Sequence, residues 1–503
     1  MTPREAELLK ENESLKDQLA EAQRQIAMLV RHVFGRKTEQ TPPNSDQPEL
    51  TLEIEAAAIG YEPAPPTRPK RGSRKGRRVR NDLWPAGLPV EETVLVPACV
   101  QRAPDNWRRI GEDVVERLER EPARMVIQRL VRPKFVRRDQ PHAAPVQQPA
   151  PPRLIEGGML GDHLMVDLVI GKYLHHQPLD RQARALKWEC GVNLSAATLC
   201  QTIARLAHAT APIVRHIAAG MWAGPVVQAD LTPVRCLSRG NKGGSFLGQM
   251  WVMNTPGGDV VYHWEKSKEA IVAERLVPPG WKGVLQTDGG SEFACYLKGG
   301  KARGRPPDIT RAGCWAHVRR KFHEASRAGC RKSTRLVKII NVLYRIEGVI
   351  RESGSVERAA VRHLRSGRVI RGLRRRMDAL VARERPRKPV VKACLYAIGQ
   401  WESLLVYLGN GAVPIDNNSV ENAIRPCALG KKNYLFIGDV RAGSHSAVFY
   451  SLLGTCLRRG INPREYLRWL FERLATTHPR DHRELTPGGY AAQQGSTTAQ
   501  AAA

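Results

Sequence analysis

Two short apolar segments of this chain each end in an aspartate. Residues 226–229 lead into Asp230, and residues 283–287 lead into Asp288, which two glycines follow. Such segments predict buried strands, because a short apolar run bounded by turn residues is typical of the core of a sheet. An acid at the end of a buried strand is costly unless it is paired or binds a cation. We therefore expect a sheet that delivers two carboxylates.

The residues between the two aspartates predict the rest of this sheet. Segments 248–254 and 259–264 are typical of strands, and 267–276 is typical of a helix. This order suggests an α/β core with a ribonuclease-H-like sheet, in which neighbouring strands present Asp230 and Asp288 side by side. Two adjacent carboxylates repel each other unless a divalent cation lies between them, and their hard oxygen atoms favour Mg²⁺ or Mn²⁺. Two such ions activate a water or a 3′-hydroxyl for displacement at phosphorus.

Glu421 is the best candidate for a third acid. It lies at the start of a predicted helix that Asn417 or Asn418 would cap. Arg425 lies one turn further along the same face, where we expect it to hold a DNA phosphate. In the alternative interpretation, Glu421 only complements the helix dipole, and each aspartate is a turn or capping residue. Three acids in these settings, within a strongly basic chain, favour the metal-binding interpretation.

The charge of the chain indicates a polyanionic partner. Its 503 residues include 79 Lys and Arg against 49 Asp and Glu, a net charge of +30. Nucleic acid is the first candidate, because cationic side chains gain affinity by releasing the counterions of phosphates. The basic run at 68–78 belongs to this surplus, and a solvated linker without a partner is the alternative for it. The side chains that we expect to contact DNA there are those of Lys70, Arg71, Arg74, Lys75, Arg77 and Arg78.

Hydropathy and cysteine usage indicate where the protein works. No apolar run reaches the ~20 residues that span a bilayer, and the N-terminus has no signal-peptide core. We expect no membrane partner and a cytoplasmic bacterial protein associated with the nucleoid. The ten cysteines form no pair with two intervening residues, so we expect ordinary buried thiols rather than disulfides or a zinc site.

Residues 5–34 predict an amphipathic helix with heptad spacing. One apolar series recurs every seven residues from Leu8, and a second series, offset by four, starts at Asn12. These positions are typical of a coiled coil, so we expect a homo-oligomer formed through this helix. Docking of the helix on its own chain is the alternative.

A helix-turn-helix fits residues 178–206. Gly191 lies near the turn, and Ser195 can cap the second helix. Contact with DNA and simple helical packing are both open for this segment.

Changes in composition and periodicity, together with the family resemblance that the motifs below carry, divide the chain into nine predicted regions. The predicted regions are a coiled-coil helix (1–39), a flexible basic linker (40–82), a small strand-rich module (83–140), a linker (141–157), a helical DNA-binding region (158–222), the first part of the core (223–330), a helical insertion (331–410), the second part of the core with Glu421 (411–475) and a C-terminal tail (476–503) whose residues 491–503 we expect to be disordered.

Several ordered motifs resemble those of the transposases of the insertion sequence 66 family. They lie at 228–230, 285–289, 313–322, 415–426, 428–436 and 462–467, and the resemblance covers nearly the whole chain. It implies a DNA transposase with a ribonuclease-H-like domain and a helical insertion before the glutamate. It also implies a catalytic Asp-Asp-Glu triad, which maps to Asp230, Asp288 and Glu421, two Mg²⁺ or Mn²⁺ ions, and accessory proteins of the element. A nuclease or resolvase, and a decayed DNA-binding regulator, are the alternatives.

Two departures from the family pattern stand out. Family members usually carry an acid after the first aspartate, where this chain has Leu231. They also tend to carry a zinc-binding module in the region of 83–140, where only Cys99 supplies a thiol. A structural zinc site needs four ligands, so we predict no structural zinc there.

The motif at 313–322 is open to more than one interpretation. Cys314 and His317 share a helix face, as metal ligands or a nucleophile pair would, but no residue is marked as the orienting acid of a nucleophile. We expect packing with Trp315 instead, with His317 as possible support of the active site. Asn418 and Asn422 are further candidates for support. The cations that we expect to contact DNA in this part of the chain are Arg319, Arg320, Lys321, Lys431 and Lys432.

Overall fold

The computed structural model describes residues 150–238, 244–297 and 308–501, with short pieces between 125 and 147. Strand β1 (Lys134–Phe135) pairs antiparallel with β2 (Val146–Gln147). The expected coiled-coil helix, the basic linker with its six DNA-contacting cations, and nearly all of the module at 83–140, including its predicted lack of zinc, lie outside the described residues.

Five strands form one mixed sheet. They are β3 (Val226–Leu237), β4 (Ser245–Asn254), β5 (Val260–Glu265), β6 (Val284–Thr287) and β7 (Thr310–Ala312), in the spatial order β5-β4-β3-β6-β7. Strands β5, β4 and β3 pair antiparallel, whereas β3, β6 and β7 pair parallel. The first four residues of β3 and all four of β6 are buried, as expected for apolar strands that helices cover on both faces.

Within the described residues, three helices precede the sheet: α1 (Asp162–Tyr173), α2 (Leu179–Cys190) and α3 (Ala196–Trp222). Gly191 ends α2 in the left-handed region at φ 68°, and the Ser195 hydroxyl accepts the N–H of Thr198 at 3.0 Å to cap α3. The predicted turn is therefore confirmed. One face of α3 is buried in the core, so helical packing occurs here, and DNA contact stays a prediction.

The predicted insertion is helical, and its apolar residues pack in a cluster that also includes Val226 and Val284 of the sheet. Before it, the short helices α4 (Ala270–Leu276) and α5 (Ser291–Leu297) flank β6.

The helices that follow β7 are α6 (Trp315–Arg327), α7 (Arg331–Val349), α8 (Ser355–Val361), a π-helical turn (Arg362–Ser366), α9 (Gly367–Arg383), α10 (Pro389–Gly399) and α11 (Trp401–Gly409). Their buried apolar residues form one cluster around Trp315, Leu343 and Leu373.

The chain returns to the sheet through α12 (Asn418–Tyr434), α13 (Val440–Arg458) and α14 (Pro463–Leu474). Helix α13 packs along β5 and α3, so the first and last helices share one core with the sheet. A 3₁₀ segment (Pro479–Leu485) leads to the last helix, α15 (Pro487–Ala501). Among the described helices, none combines the length and hydropathy needed to cross a bilayer.

The expectation of a disordered tail is wrong up to residue 501, where α15 ends. The Thr486 hydroxyl accepts the N–H of Gly489 at 3.2 Å, and Pro487 suits the first turn of a helix. The ring of Tyr490 packs against those of Tyr466 and Trp469. Capping and one aromatic anchor stabilise a helix that lacks a periodic apolar face.

Candidate active site

The two aspartates come from neighbouring parallel strands. Gln228 pairs with Gln286 and Ala229 with Thr287, so Asp230 and Asp288 each follow the last paired residue at the same end of the sheet. Asp230 Oδ1 accepts its neighbour's N–H at 2.7 Å, and Asp288 Oδ1 accepts the N–H two residues on at 2.9 Å. The predicted side-by-side arrangement is therefore confirmed, but the expectation that the strand ends at Asp230 is wrong: β3 continues to Leu237, because its second half pairs with β4.

Two buried glutamines precede the aspartates by two residues. Gln228 Nε2 donates to Gln286 Oε1 at 2.8 Å and to the carbonyl of Asp416 at 2.9 Å. Gln286 Nε2 donates to the carbonyls of Gly313 (3.0 Å) and Pro414 (2.8 Å). Both side chains are fully buried and cannot reach solvent, so these hydrogen bonds satisfy their polar atoms. They attach the loops that begin α6 and α12 directly to the sheet.

Burial and neighbouring charge act together on Asp230. Burial, followed by the negative charge of Asp288, raises the pKa of Asp230 to about 7, and Glu421 adds to the increase. The N–H of Leu231 and the charge of Arg320 lower the pKa by less. The three acids therefore lie close enough to interact electrostatically, and a cation among them would relieve their repulsion.

Glu421, in the first turn of α12, contacts two residues of α6. His317 Nδ1 lies 3.5 Å from Glu421 Oε1, and Arg320 Nη2 lies 3.3 Å from Oε2. Arg320 Nη1 lies 3.5 Å from His317 Nε2 and completes a triangle. The first two turns of α6 therefore set where the Glu421 carboxylate lies.

The predicted capping of α12 is wrong in detail. Asn417 occupies the N-cap position, but its side chain makes no capping hydrogen bond. Instead Asp416 Oδ1 accepts the N–H of Asn418 at 3.2 Å, and Asp416 Oδ2 accepts its amide at 3.0 Å. Asn417 is fully buried, and both polar atoms of its side chain lack a hydrogen-bond partner. Asn418 thus supports the loop before Glu421, as a second contact of Asp416.

Residues that sequence reasoning missed surround Asp288. Arg311 Nη2 donates to the Asp288 carbonyl at 3.0 Å and lies 3.4 Å from Gln400 Oε1. Gly289 fits closely here, because a Cβ at this position would lie 2.8 Å from both Gln400 Nε2 and Tyr396 Oη. The only signal in the sequence was the glycine after Asp288, which indicates a close approach without naming the partner.

The residues of α12 that we expect to contact DNA differ in exposure and in whether they already bind within the protein. Asn422, Arg425 and Lys432 are exposed on α12. Lys431, by contrast, donates to Thr232 Oγ1 at 3.1 Å and to a carbonyl of β3 at 3.0 Å, so its charge serves the helix–sheet contact.

The cations of α6 also have partners within the protein. Arg319 stacks on the ring of Tyr344 with its guanidinium 4.8 Å from the centroid. Arg320 contacts Glu421, and Lys321 lies 3.7 Å from a carboxylate one turn along α6. A DNA role for these three cations stays a prediction.

A second group of polar atoms meets at Glu421. Cys314, at the N-cap of α6, is 2% exposed, and its sulfur accepts the N–H of Asn417 at 3.4 Å. The ligand atoms of Cys314, His317 and Glu421 lie within 4.8 Å of one another. The expected packing role fits Trp315, which donates its indole N–H to a carbonyl of α11 at 3.0 Å, but His317 is directed to the carboxylate.

Most of the chain matches models of known protein families. Residues 157–445 match the family described as "Transposase IS66 family", residues 16–93 match "Transposase C of IS166 homeodomain", and residues 451–487 match "IS66 C-terminal element". The first match alone covers more than half of the chain and includes the five strands of the sheet and the loops before α6 and α12.

Similar proteins come from Sinorhizobium fredii (strain NBRC 101917 / NGR234). The uncharacterized protein y4jD is 29% identical over 497 residues, which cover 95% of each chain. The uncharacterized protein y4hP is 29% identical over 485 residues, 90% of this chain and 85% of the relative. The uncharacterized protein y4qI is 30% identical over 380 residues, 74% of this chain and 69% of the relative. The family match, extended by relatives of nearly equal length, places the chain in the IS66 family of transposases.

Proposed function

We propose that this transposase cleaves DNA strands at the ends of its element and joins them to target DNA, with Asp230, Asp288 and Glu421 as the catalytic acids. One observation carries the proposal. Asp230 lies within β3, directly after the last residue that pairs with β6, Asp288 directly follows β6, and the charges of Asp288 and Glu421 both raise the pKa of Asp230. Acids gathered in this way are typical of a site that binds divalent cations.

The topology supports a ribonuclease-H-like assignment for the core. Three antiparallel strands continue into two parallel ones in the order β5-β4-β3-β6-β7. The first acid lies on the central strand β3, the second follows β6, and the third begins a helix after the long helical insertion. The assignment accounts for the 132 residues between Asp288 and Glu421, because the insertion folds as helices around an apolar cluster at the edge of the sheet.

The residues at the site fit two Mg²⁺ or Mn²⁺ ions. Asp230 and Asp288 offer adjacent carboxylates, and Glu421 has an oxygen, Oε1, that is buried without a hydrogen-bond partner. When bound, such ions activate the attacking hydroxyl and stabilise the leaving oxygen at phosphorus. The chain itself supplies the phosphate contacts: Arg425 and Lys432 are exposed on α12, the helix that carries Glu421.

Three further features belong to the proposal. The partners are transposon-end and target DNA, which the net charge of +30 favours electrostatically. Self-association through the N-terminal helix would bring two ends of the element together. Accessory proteins of the element would act beside it.

Strand transfer by precleaved element ends tests the proposal. With Mg²⁺, the wild type is expected to join such ends to a target plasmid, and Glu421→Gln is expected to lose activity on the order of 10²–10³-fold or more. Glu402→Gln is the matched control, because Glu402 is also a first-turn acid but lies on α11 and is exposed. Equal losses of activity in both variants would indicate that Glu421 only complements the helix dipole and is not a catalytic acid.

The same assay separates the other functions. Cleavage of uncut ends without joining would indicate a nuclease or resolvase. If Asp230→Ala left every activity unchanged, the protein would be a DNA-binding regulator without catalysis.

A further inference from the structure

Glu421 belongs to a second cluster with different chemistry. We propose that Cys314, His317 and Glu421 form a binding site for Zn²⁺, next to the two aspartates. A thiolate, an imidazole nitrogen and a carboxylate are the ligand types that proteins use for zinc, whereas Mg²⁺ prefers oxygen alone. The site therefore selects a different metal from the three-acid site proposed above.

The geometry is close to that of a tetrahedral site. Bonds of about 2.0–2.3 Å around zinc separate neighbouring ligand atoms by roughly 3.3–3.8 Å. The three ligand atoms here lie within 4.8 Å of one another, and His317 Nδ1 and Glu421 Oε1 are already 3.5 Å apart. Small side-chain rotations are enough to close the site. Three protein ligands leave a fourth position for water or substrate.

Unsatisfied polar atoms point independently to a ligand. His317 Nδ1 and Glu421 Oε1 are both buried without a hydrogen-bond partner. Such atoms are rare in folded proteins, because an unpaired buried polar group costs about 1–3 kcal/mol. The Arg320 guanidinium contacts the second nitrogen of His317, Nε2, and the second carboxylate oxygen of Glu421, Oε2. It does not contact His317 Nδ1 or Glu421 Oε1, which face each other. A cation between them satisfies both.

The surroundings of Cys314 suit a metal-bound thiolate. Its sulfur lies at the N-terminus of the 13-residue helix α6 and accepts the backbone N–H of Asn417. Both the helix dipole and the N–H donor stabilise a negative sulfur. When the zinc–sulfur bond forms, the thiol proton leaves to solvent. Without metal, burial raises the pKa of the Cys314 thiol, so it stays protonated and is a poor nucleophile, despite the nearby imidazole.

Zinc at this site would compete with the proposed reaction. A metal bound to Glu421 from the side of His317 holds the carboxylate away from Asp230 and Asp288. We therefore expect micromolar-range Zn²⁺ to inhibit Mg²⁺-dependent strand transfer. This consequence rests on the proposed function, whereas the metal site itself does not.

Titration of the metal-free, full-length protein with Co²⁺ tests the site optically. Cobalt substitutes for zinc, and its bond to a thiolate gives a near-ultraviolet charge-transfer band. We expect Cys314→Ser to remove the band and His317→Gln to weaken Co²⁺ binding by at least about tenfold. The matched control is Cys394→Ser, because Cys394 is equally buried in α10 but lies outside the cluster. Zn²⁺ should displace the cobalt.

The variants also show how the idea fails. An unchanged cobalt spectrum in both Cys314→Ser and His317→Gln would overturn the proposal, as would equal losses in Cys394→Ser. If Cys314→Ser did not fold, judged by its thermal transition, His317→Gln alone would decide. Arg320→Gln should tighten Co²⁺ binding by removing a nearby positive charge, and weaker binding would also contradict the site. Because the readout needs no DNA, it can fail or succeed independently of the test with Glu421→Gln.

Discussion

The aspartate pair and Glu421 are held in different ways. Asp230 and Asp288 are fixed by the register of two hydrogen-bonded strands, whose backbones leave little freedom. Glu421 begins a helix and is located by side-chain contacts with His317 and Arg320. Backbone register gives rigid positions, whereas side-chain contacts can exchange one partner for another. The difference indicates that the aspartates form the preorganised half of the site and Glu421 the adjustable half.

The largest expected effect concerns Gln286, which connects the strands of the two aspartates to the loop that leads to Glu421. Gln286→Leu removes the donor to the carbonyls of Gly313 and Pro414 and the acceptor for Gln228. Because these groups stay buried without partners, we expect the free energy of unfolding to fall by about 2–4 kcal/mol. Chemical denaturation with the m-value checked for two-state behaviour measures it.

The matched control for this substitution is Gln249→Leu. Gln249 is also buried in the sheet, but its Oε1 has no hydrogen-bond partner, so we expect a change within about 1 kcal/mol. If both variants lost the same stability, the glutamine bridge would contribute nothing beyond filling space, and the loops would be held by packing alone.

The second test uses pH to separate Asp230 from Glu421. The pKa of Asp230 is raised from 3.8 to about 7 in the fold, so the folded state favours the protonated acid. Its contribution to stability is present below about pH 4 and is lost as the pH rises through 7. Asp230→Asn keeps the shape without the charge. At pH 8 in a chelator we expect this variant to be more stable than wild type by about 1–3 kcal/mol, and at pH 4 to be equal.

Glu421→Gln should respond with the opposite sign. It loses the ion pair with Arg320, and we expect up to about 1 kcal/mol of destabilisation at pH 8. Thermal melts of both variants across pH 4–8 compare the two halves directly. If Asp230→Asn gave no gain at pH 8, the carboxyl would not be under electrostatic strain, and its case as a cation ligand would weaken.

Local patterns explain which features the sequence could predict. Buried strands, the Gly191 turn and the helical insertion each depend on neighbouring residues, so periodicity and turn chemistry reveal them. The contacts of Gln286 with Gly313 and Pro414 join residues that are 27 and 128 positions apart, and no local signal specifies them.

The failures have the same cause. The side chain of Asn417 matches a capping pattern but is buried by tertiary contacts, which override the local preference. Helix α15 was missed because its anchor, Tyr490, packs against aromatic residues of α14 rather than along its own periodic face. The triangle of His317, Arg320 and Glu421 likewise depends on two helices that only the fold brings together.

The smallest test asks whether Glu421 is adjustable. Arg320 competes with a divalent cation for the Glu421 carboxylate, because its Nη2 lies 3.3 Å from Oε2. Removing this charge in Arg320→Gln should lower the Mg²⁺ concentration at half-maximal strand transfer by about two- to fivefold. Arg319→Gln is the neighbouring control, since Arg319 stacks on Tyr344 instead, and should leave the Mg²⁺ requirement unchanged. A higher Mg²⁺ requirement in Arg320→Gln would mean that Arg320 orients Glu421 for the metal rather than competing with it, and Glu421 would then be as preorganised as the aspartates.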